Sequence, residues 1–194
     1  KYIMSPILEV CCTSIASALT AQEAGAQRIE LCDNLYEGGT TPSYGTIELV
    51  REKLHIEINV LIRPRGSDFV YSEDEMEIIR RDIEKCKDIG VNGVVIGFLT
   101  PDGEIDLERT RQITENARPL SVTFHRAFDM SRDPYKALEQ LINIGVDRIL
   151  TSGQKNKASE GAKLIADLVE KAGKYNHAWS GIDTREHQRV PYND

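Results

Sequence analysis

Apolar positions along the chain follow two periods that take turns. Short runs such as "EVCC" (9–12), "IEINVLIRPRG" (56–66) and "LSVTFHRAFD" (120–129) carry apolar residues at neighbouring or alternate positions, the pattern of strands. Between them apolar residues recur every three or four positions, as on the buried face of a helix. Three further segments share one design: "AGAQRIELC" (24–32), "IGVNGVVIG" (89–97) and "IGVDRILTSG" (144–153). In each, a glycine suited to ending a helix in the left-handed conformation (Gly25, Gly90, Gly145) is followed by a small apolar residue and then a strand.

The helices between these strands have readable starts. Ser72 with Glu75 three residues on forms a capping box, ahead of Met76, Ile79, Ile83 and Cys86 at helical spacing. Cys86 is thereby expected on a core-facing helix stripe. Asp133-Pro134 supplies an N-cap and a first-turn proline ahead of Ala137, Leu138, Leu141 and Ile142, and Thr41-Pro42 is read the same way ahead of Ile47, Val50 and Leu54. Further helices are expected near 14–24, 106–117 and 158–172.

Strict alternation of strands and helices predicts an α/β fold with a parallel sheet. It is either an open doubly wound sheet or a (β/α)8 TIM-type barrel. No G-x-G-x-x-G follows the first strand, which weighs against the dinucleotide-binding form. Six β-α units are readable. The stretch 171–194 offers no clear strand, so strands seven and eight are not evident and the barrel is expected to be incomplete. A single TIM-barrel-like domain over 1–175, followed by a C-terminal tail over 176–194, is the expected organisation.

Both architectures place working residues at the C-terminal ends of the strands. Those ends carry Cys11-Cys12, Cys32-Asp33, Arg63-Pro64-Arg65-Gly66, His125-Arg126 with Asp129, and Thr151-Ser152. Alternation puts Glu9 and Cys11 on one face of the first strand and Glu30 and Cys32 on one face of the second, with Cys12 turned away. On adjacent parallel strands ~4.8 Å apart, the sulfurs of Cys11 and Cys32 could meet one small soft ion such as Cu(I). The alternative is that both are small buried apolar groups.

A second constellation is ionic. Arg63, Arg65, Arg126 and His125 gather positive charge at the mouth, with Glu9 and Glu30 deeper down, Asp129 nearby and Thr151 and Ser152 at the end of the sixth strand. Guanidinium groups bind carboxylate or phosphate, the Gly38-Gly39 loop offers backbone N–H donors, and His125, Glu30 or Asp129 could move protons. A barrel enzyme acting on a small anionic or phosphorylated metabolite is the function that set would serve. The same residues could equally neutralise one another as a buried network.

Composition narrows the classes. The 194 residues carry a net charge of −7, which argues against a nucleic-acid partner, and no apolar run approaches the roughly 20 residues of a membrane helix. Neither a membrane span nor a signal peptide is expected, and a cytoplasmic protein is. Four cysteines are too few for a disulfide scaffold, so free thiols are expected. His55, His177 and His187 have no ligand-like spacing, and no zinc site is expected.

Taken in order, "LEVCCTS", "RIELCDN", "GGTTPSYG", "IRPRGSDFVYS", "VTFHRAFD" and "RILTSGQ" resemble the CutC family of copper homeostasis proteins, across roughly residues 7–175. The resemblance implies a (β/α)8 barrel, a cytoplasmic location, homo-oligomerisation and Cu(I) binding, with Cys11 and Cys32 as the matching metal ligands. Six units would leave two parallel edges open, which gives a physical reason for a dimer.

Overall fold

The computed structural model describes residues 7–173 and 181–184. The tail expected over 176–194 lies outside the described residues except for its strand at 181–184, and so do His177 and His187. The alternation read from the pattern is present as β1 (Glu9–Cys12), α1 (Ile15–Glu23), β2 (Arg28–Leu31), α2 (Tyr44–Lys53), β3 (Glu57–Leu61), α3 (Glu73–Ile89) and β4 (Gly93–Ile96). It continues through α4 (Leu107–Ala117), β5 (Ser121–Phe124), α5 (Pro134–Ile144), β6 (Arg148–Thr151), α6 (Ala162–Ala172) and β7 (Gly181–Thr184).

The described residues fall into two compact units. The first takes in those up to Ile96 together with Gln112–Val122, and the second Gly97–Arg111 together with those from Thr123 onward. In the first, β1 pairs with β2, β2 with β3 and β3 with β4, all parallel. Parallel strands joined by helices are covered on both faces and read as nearly continuous apolar runs. Ile29, Leu31, Ile58, Val60, Val94 and Ile96 are accordingly all buried. Helix α1 packs on β1 and β2, α1 on α2, and α2 on α3. Ala18, Ile47, Val50, Met76, Ile79, Ile83 and Cys86 supply the buried stripes of these helices.

In the second unit β6 pairs in parallel with β5 and β7. Phe98, Phe124, Phe128, Leu138, Leu141, Ile149 and Leu168 form its core.

Gly90 and Gly145 close α3 and α5 at φ of +79° and +92°, where a side chain would be strained. Ser72 and Asp133 cap α3 and α5 as their motifs predict.

Three expectations are corrected. Helix α2 starts later than Thr41-Pro42 suggests, because Ser43 accepts the Thr46 N–H and is the N-cap, while Thr41 is drawn into bonds with Arg63. Helix α6 begins at Ala162 rather than 158, after an extended turn. A seventh strand exists: "GIDT" sets Ile182 and Thr184 against Gly181 and Asp183, which disfavour strands, so its ladder to β6, and not its pattern, defines it. No eighth strand is found among the described residues.

The Ser72 box is reciprocal, Ser72 Oγ accepting from the Glu75 N–H and Glu75 from the Ser72 N–H. Ser72→Ala should therefore cost about 1 kcal/mol of stability, read as a lower urea midpoint at unchanged slope.

Candidate functional site

In the first unit the register sets Cys11 beside Glu30 and Cys12 beside Leu31, so Cys11, Glu30 and Cys32 share one face of the ladder. The Cys11 and Cys32 sulfurs stand 3.4 Å apart. Cys32 is buried and Cys11 is partly open to solvent. Cys32 clusters with Leu61 and Val95, which occupy the same face of β3 and β4, and Cys11 packs against that cluster.

The backbone over Cys32 must come close. At Gly39, with φ of +96°, an added Cβ would lie 2.7 Å from Leu61 Cδ2 and 3.7 Å from Cys32 Cβ. Glycine is the residue that permits both the conformation and the approach.

Cys12 lies on the opposite face, buried, with its Sγ 3.6 Å from the Val10 carbonyl. Cys86 is fully buried in α3. Burial, with the Asp82 carboxylate adding to it, pushes the Cys86 thiol up to about 12. The four thiols thus divide into one close pair and two core groups.

The ionic residues of this unit have partners of their own. Glu9 opens β1, at the opposite end of the strand from Cys12, and pairs with buried Arg28, which also faces Glu57. Glu30 is buried beside Cys11. Arg63 is 5% exposed. Its Nη1 donates to the Glu37 and Gly39 carbonyls at 2.7 Å each, its Nη2 donates to the Ser67 carbonyl at 2.8 Å, and its plane lies over Phe69. Its backbone N–H donates to Thr41 Oγ1.

Arg65 pairs with Glu75 and Asp68, donates to the Val70 carbonyl and stacks on Tyr71. Gly38 and Gly39 direct their N–H groups at the Leu35 and Asn34 carbonyls, 3.0 and 3.1 Å away. Those two donors are used within the loop, which corrects the expectation that they are available to an anion.

The second unit gathers the remaining candidates. His125 caps the 3-10 turn Arg126–Met130, its Nδ1 accepting from the Ala127 N–H at 3.1 Å, which assigns the ring proton of the neutral form to Nε2. Gly97 makes room for the ring, since an added Cβ would fall 2.4 Å from His125 Nδ1. Asp129 accepts from Thr151 Oγ1, the Ser152 and Gln154 N–H groups, Ser152 Oγ and Arg126. Arg126 also reaches Ser152 Oγ and the Lys155 carbonyl. These four side chains together pin the loop after β6.

Sequence reasoning missed Asn59, Leu61 and Val95. In "IEINVLIR", Asn59, Leu61 and Arg63 recur with period two, a signal that they share the face of the ladder to which Glu30 and Cys32 belong. Among the described residues no group of three or more His, Cys, Asp or Glu side chains is placed to hold a metal ion. No helix among them is long and apolar enough to cross a membrane.

The family description that matches is the CutC family, over residues 6–187. A CutC family protein of Chromobacterium violaceum is 54% identical over 170 residues, which is 88% of this chain and 69% of the relative. One from Parabacteroides distasonis is 54% identical over 170 residues, 87% of this chain and 70% of that protein. The chain spans 62% of a third relative, from Xylella fastidiosa strain Temecula1, at 54% identity over 165 residues.

Among solved structures, a protein of Streptococcus agalactiae described as copper homeostasis protein CutC superposes with a TM-score of 0.83 at 38% identity, covering 87% of this chain and 84% of that one. A protein of Burkholderia cenocepacia described as a lyase/mutase superposes at 0.66 with 13% identity over 94% of this chain and 69% of its own, a likeness of fold alone. The fold is thus α/β of the incomplete TIM-barrel type. The chain belongs to the CutC family.

The Asp129 network makes a testable pH dependence. Burial alone pushes this carboxyl up, but hydrogen bonds from Thr151, Arg126, Ser152 and Gln154 outweigh it and hold the group below its ordinary value. Such a carboxylate stabilises the fold in full above its unfolded pKa of ~3.9, and that contribution disappears as pH falls through the lower folded value. Asp129→Asn should therefore lower stability at neutral pH, with the gap to wild type closing on acidification below pH ~4. Urea unfolding across that range checks it, and a constant gap would refute it.

Proposed function

We propose that this chain is a cytoplasmic copper homeostasis protein that binds Cu(I) through the Cys11 and Cys32 thiolates. The observation that carries the reading is their 3.4 Å separation on one face of adjacent parallel strands, with Cys11 partly open to solvent. Two thiolates each about 2.3 Å from a common ion can stand up to ~4.6 Å apart, so the pair is close enough to share one.

The donor set also favours this ion over others. A structural zinc site takes four ligands, and calcium and magnesium take several oxygens. A thiolate pair to which the described residues add no third acidic or imidazole ligand suits a soft ion that accepts low coordination. Family membership supports copper as the cargo, given the description of the Streptococcus agalactiae relative.

The guanidinium donors of Arg63, Arg65 and Arg126 described above go to carbonyls and carboxylates of the chain itself. That supports structural roles for them in preference to an anion cradle.

Anaerobic titration with Cu(I) against a competing chelator tests the reading. The Cys11→Ser, Cys32→Ser double variant should lose affinity by more than the ~100-fold that removal of an outer partner of a metal site costs. Cys86→Ser should bind as wild type does. Tight binding that survives the double substitution overturns the assignment.

Arg63→Ala tests the structural role of that arginine. It should cost about 2–4 kcal/mol in urea unfolding, because it removes three charged donors and leaves the Glu37, Gly39 and Ser67 carbonyls without them.

A further inference from the structure

The ladder of the first unit carries a polar row beneath the thiol pair. The register sets Cys11 beside Glu30, Glu30 beside Asn59 and Asn59 beside Gly93, so one level of β1 to β4 presents a thiol, a carboxylate, an amide and a residue with no side chain. Two residues further along each strand, Cys32, Leu61 and Val95 make an apolar level, at 1%, 4% and 0% exposure. Two residues back stand Arg28 and Glu57, with Arg28 paired to both Glu9 and Glu57.

Asn59 is 1% exposed, and neither its Oδ1 nor its Nδ2 has a hydrogen-bond partner in the protein. Buried side-chain amides are nearly always paired, with protein or with ordered water, because desolvating both ends unpaired is heavily penalised. The surroundings are polar. Asn59 Oδ1 and Ser121 Oγ both lie within 2.4 Å of the position a Gly93 Cβ would take, so the missing side chain at 93 lets the two oxygens converge. The Glu30 carboxylate is the lateral neighbour on the other side.

We infer that Asn59 anchors an internal hydration site, in which one or two water molecules accept from Nδ2 and donate to Oδ1. Glu30 and Ser121 supply the further polar contacts that a buried water needs, since a carboxylate and a hydroxyl each have more than one lone pair. Water is the occupant because the row is closed on the Cys32 side by an apolar level and on the other by the Arg28 pair. A larger hydroxylated solute would have to displace one of them. The site is independent of copper, and neither Cys11 nor Cys32 is needed to form it.

The test is a crystal structure of the wild-type protein at a resolution that orders solvent, joined to water-to-amide cross-relaxation measured by NMR on the Asn59 side chain. The expected result is discrete density within about 3.2 Å of Nδ2 and of Oδ1, with a cross-peak from a long-lived water. Amide atoms that pair with protein groups, that face no density, or that face density larger than water would each overturn the inference.

Asn59→Leu gives a second readout. A hydrated amide predicts an unchanged or lower Tm. A rise in Tm would mean the amide was simply unpaired, against the proposal. Should this variant fail to fold, the wild-type crystal decides.

Discussion

Everything the candidate site does depends on the parallel register between β1 and β2. Side chains alternate along a strand, and laterally paired residues in a parallel ladder point the same way. Cys11 opposite Glu30 therefore aligns Glu9, Cys11, Arg28, Glu30 and Cys32 on a single face. A slip of one residue would send Cys32 to the helix side and bring Leu31 in beside Cys11, because the period is two. What holds the register is burial: Ile29 and Leu31 are 0% exposed on the helix side, while the Arg28 to Glu9 pair marks the other face. Packing of apolar side chains on the helix side thus fixes the distance between two sulfurs on the other face.

The same economy governs the arginines. A buried guanidinium has five donors to satisfy, and leaving them unmatched is costly. Arg63 meets most of that requirement through Nη1 and Nη2, which donate to the carbonyls of a glycine-bearing loop and of Ser67 while Nε has no partner, so a charge at the end of β3 becomes the tie that holds the 37–39 loop over Cys32. Arg126 does the equivalent for the loop after β6, through Asp129, Ser152 and the Lys155 carbonyl. Charged residues at strand ends are here consumed in building the loops, which is a different use from binding an anion even though the residue types are the same.

This marks the border of what could be read from the sequence. Periodicity specified the first six strands and the helices, because strands such as β2, β4 and β6 are buried along their whole length and the helices carry apolar stripes. Caps at Ser72 and Asp133 were legible since their bonds are local. The shared face of Cys11 and Cys32 was legible too, as it follows from alternation alone. Three features were not. The partners of Arg63 lie 24 and 26 residues away for Gly39 and Glu37, and a long side chain can turn to any of several directions. The N–H groups of Gly38 and Gly39 close a local turn that their sequence does not announce. Strand β7 is defined by its ladder to β6, since the strand preference of Ile182 and Thr184 is offset by Gly181 and Asp183.

Alternation also explains why the interior of the first unit is layered. Because each strand contributes every second residue to that face, levels two residues apart can differ completely in chemistry: Arg28 with its carboxylates, then Glu30 and Asn59, then Cys32 with Leu61 and Val95. Burying polar side chains costs desolvation that only their own contacts repay. A polar level sealed under an apolar one therefore needs a reason in what it does for its neighbours. Cys11 is lateral to Glu30 and diagonal to Cys32, so it is the one thiol that borders both levels. Its lateral neighbour is the buried Glu30, and Cys11 itself stays partly open to solvent. Under the proposed Cu(I) assignment, a pair with one buried and one approachable thiol would let the ion enter and leave without opening the core.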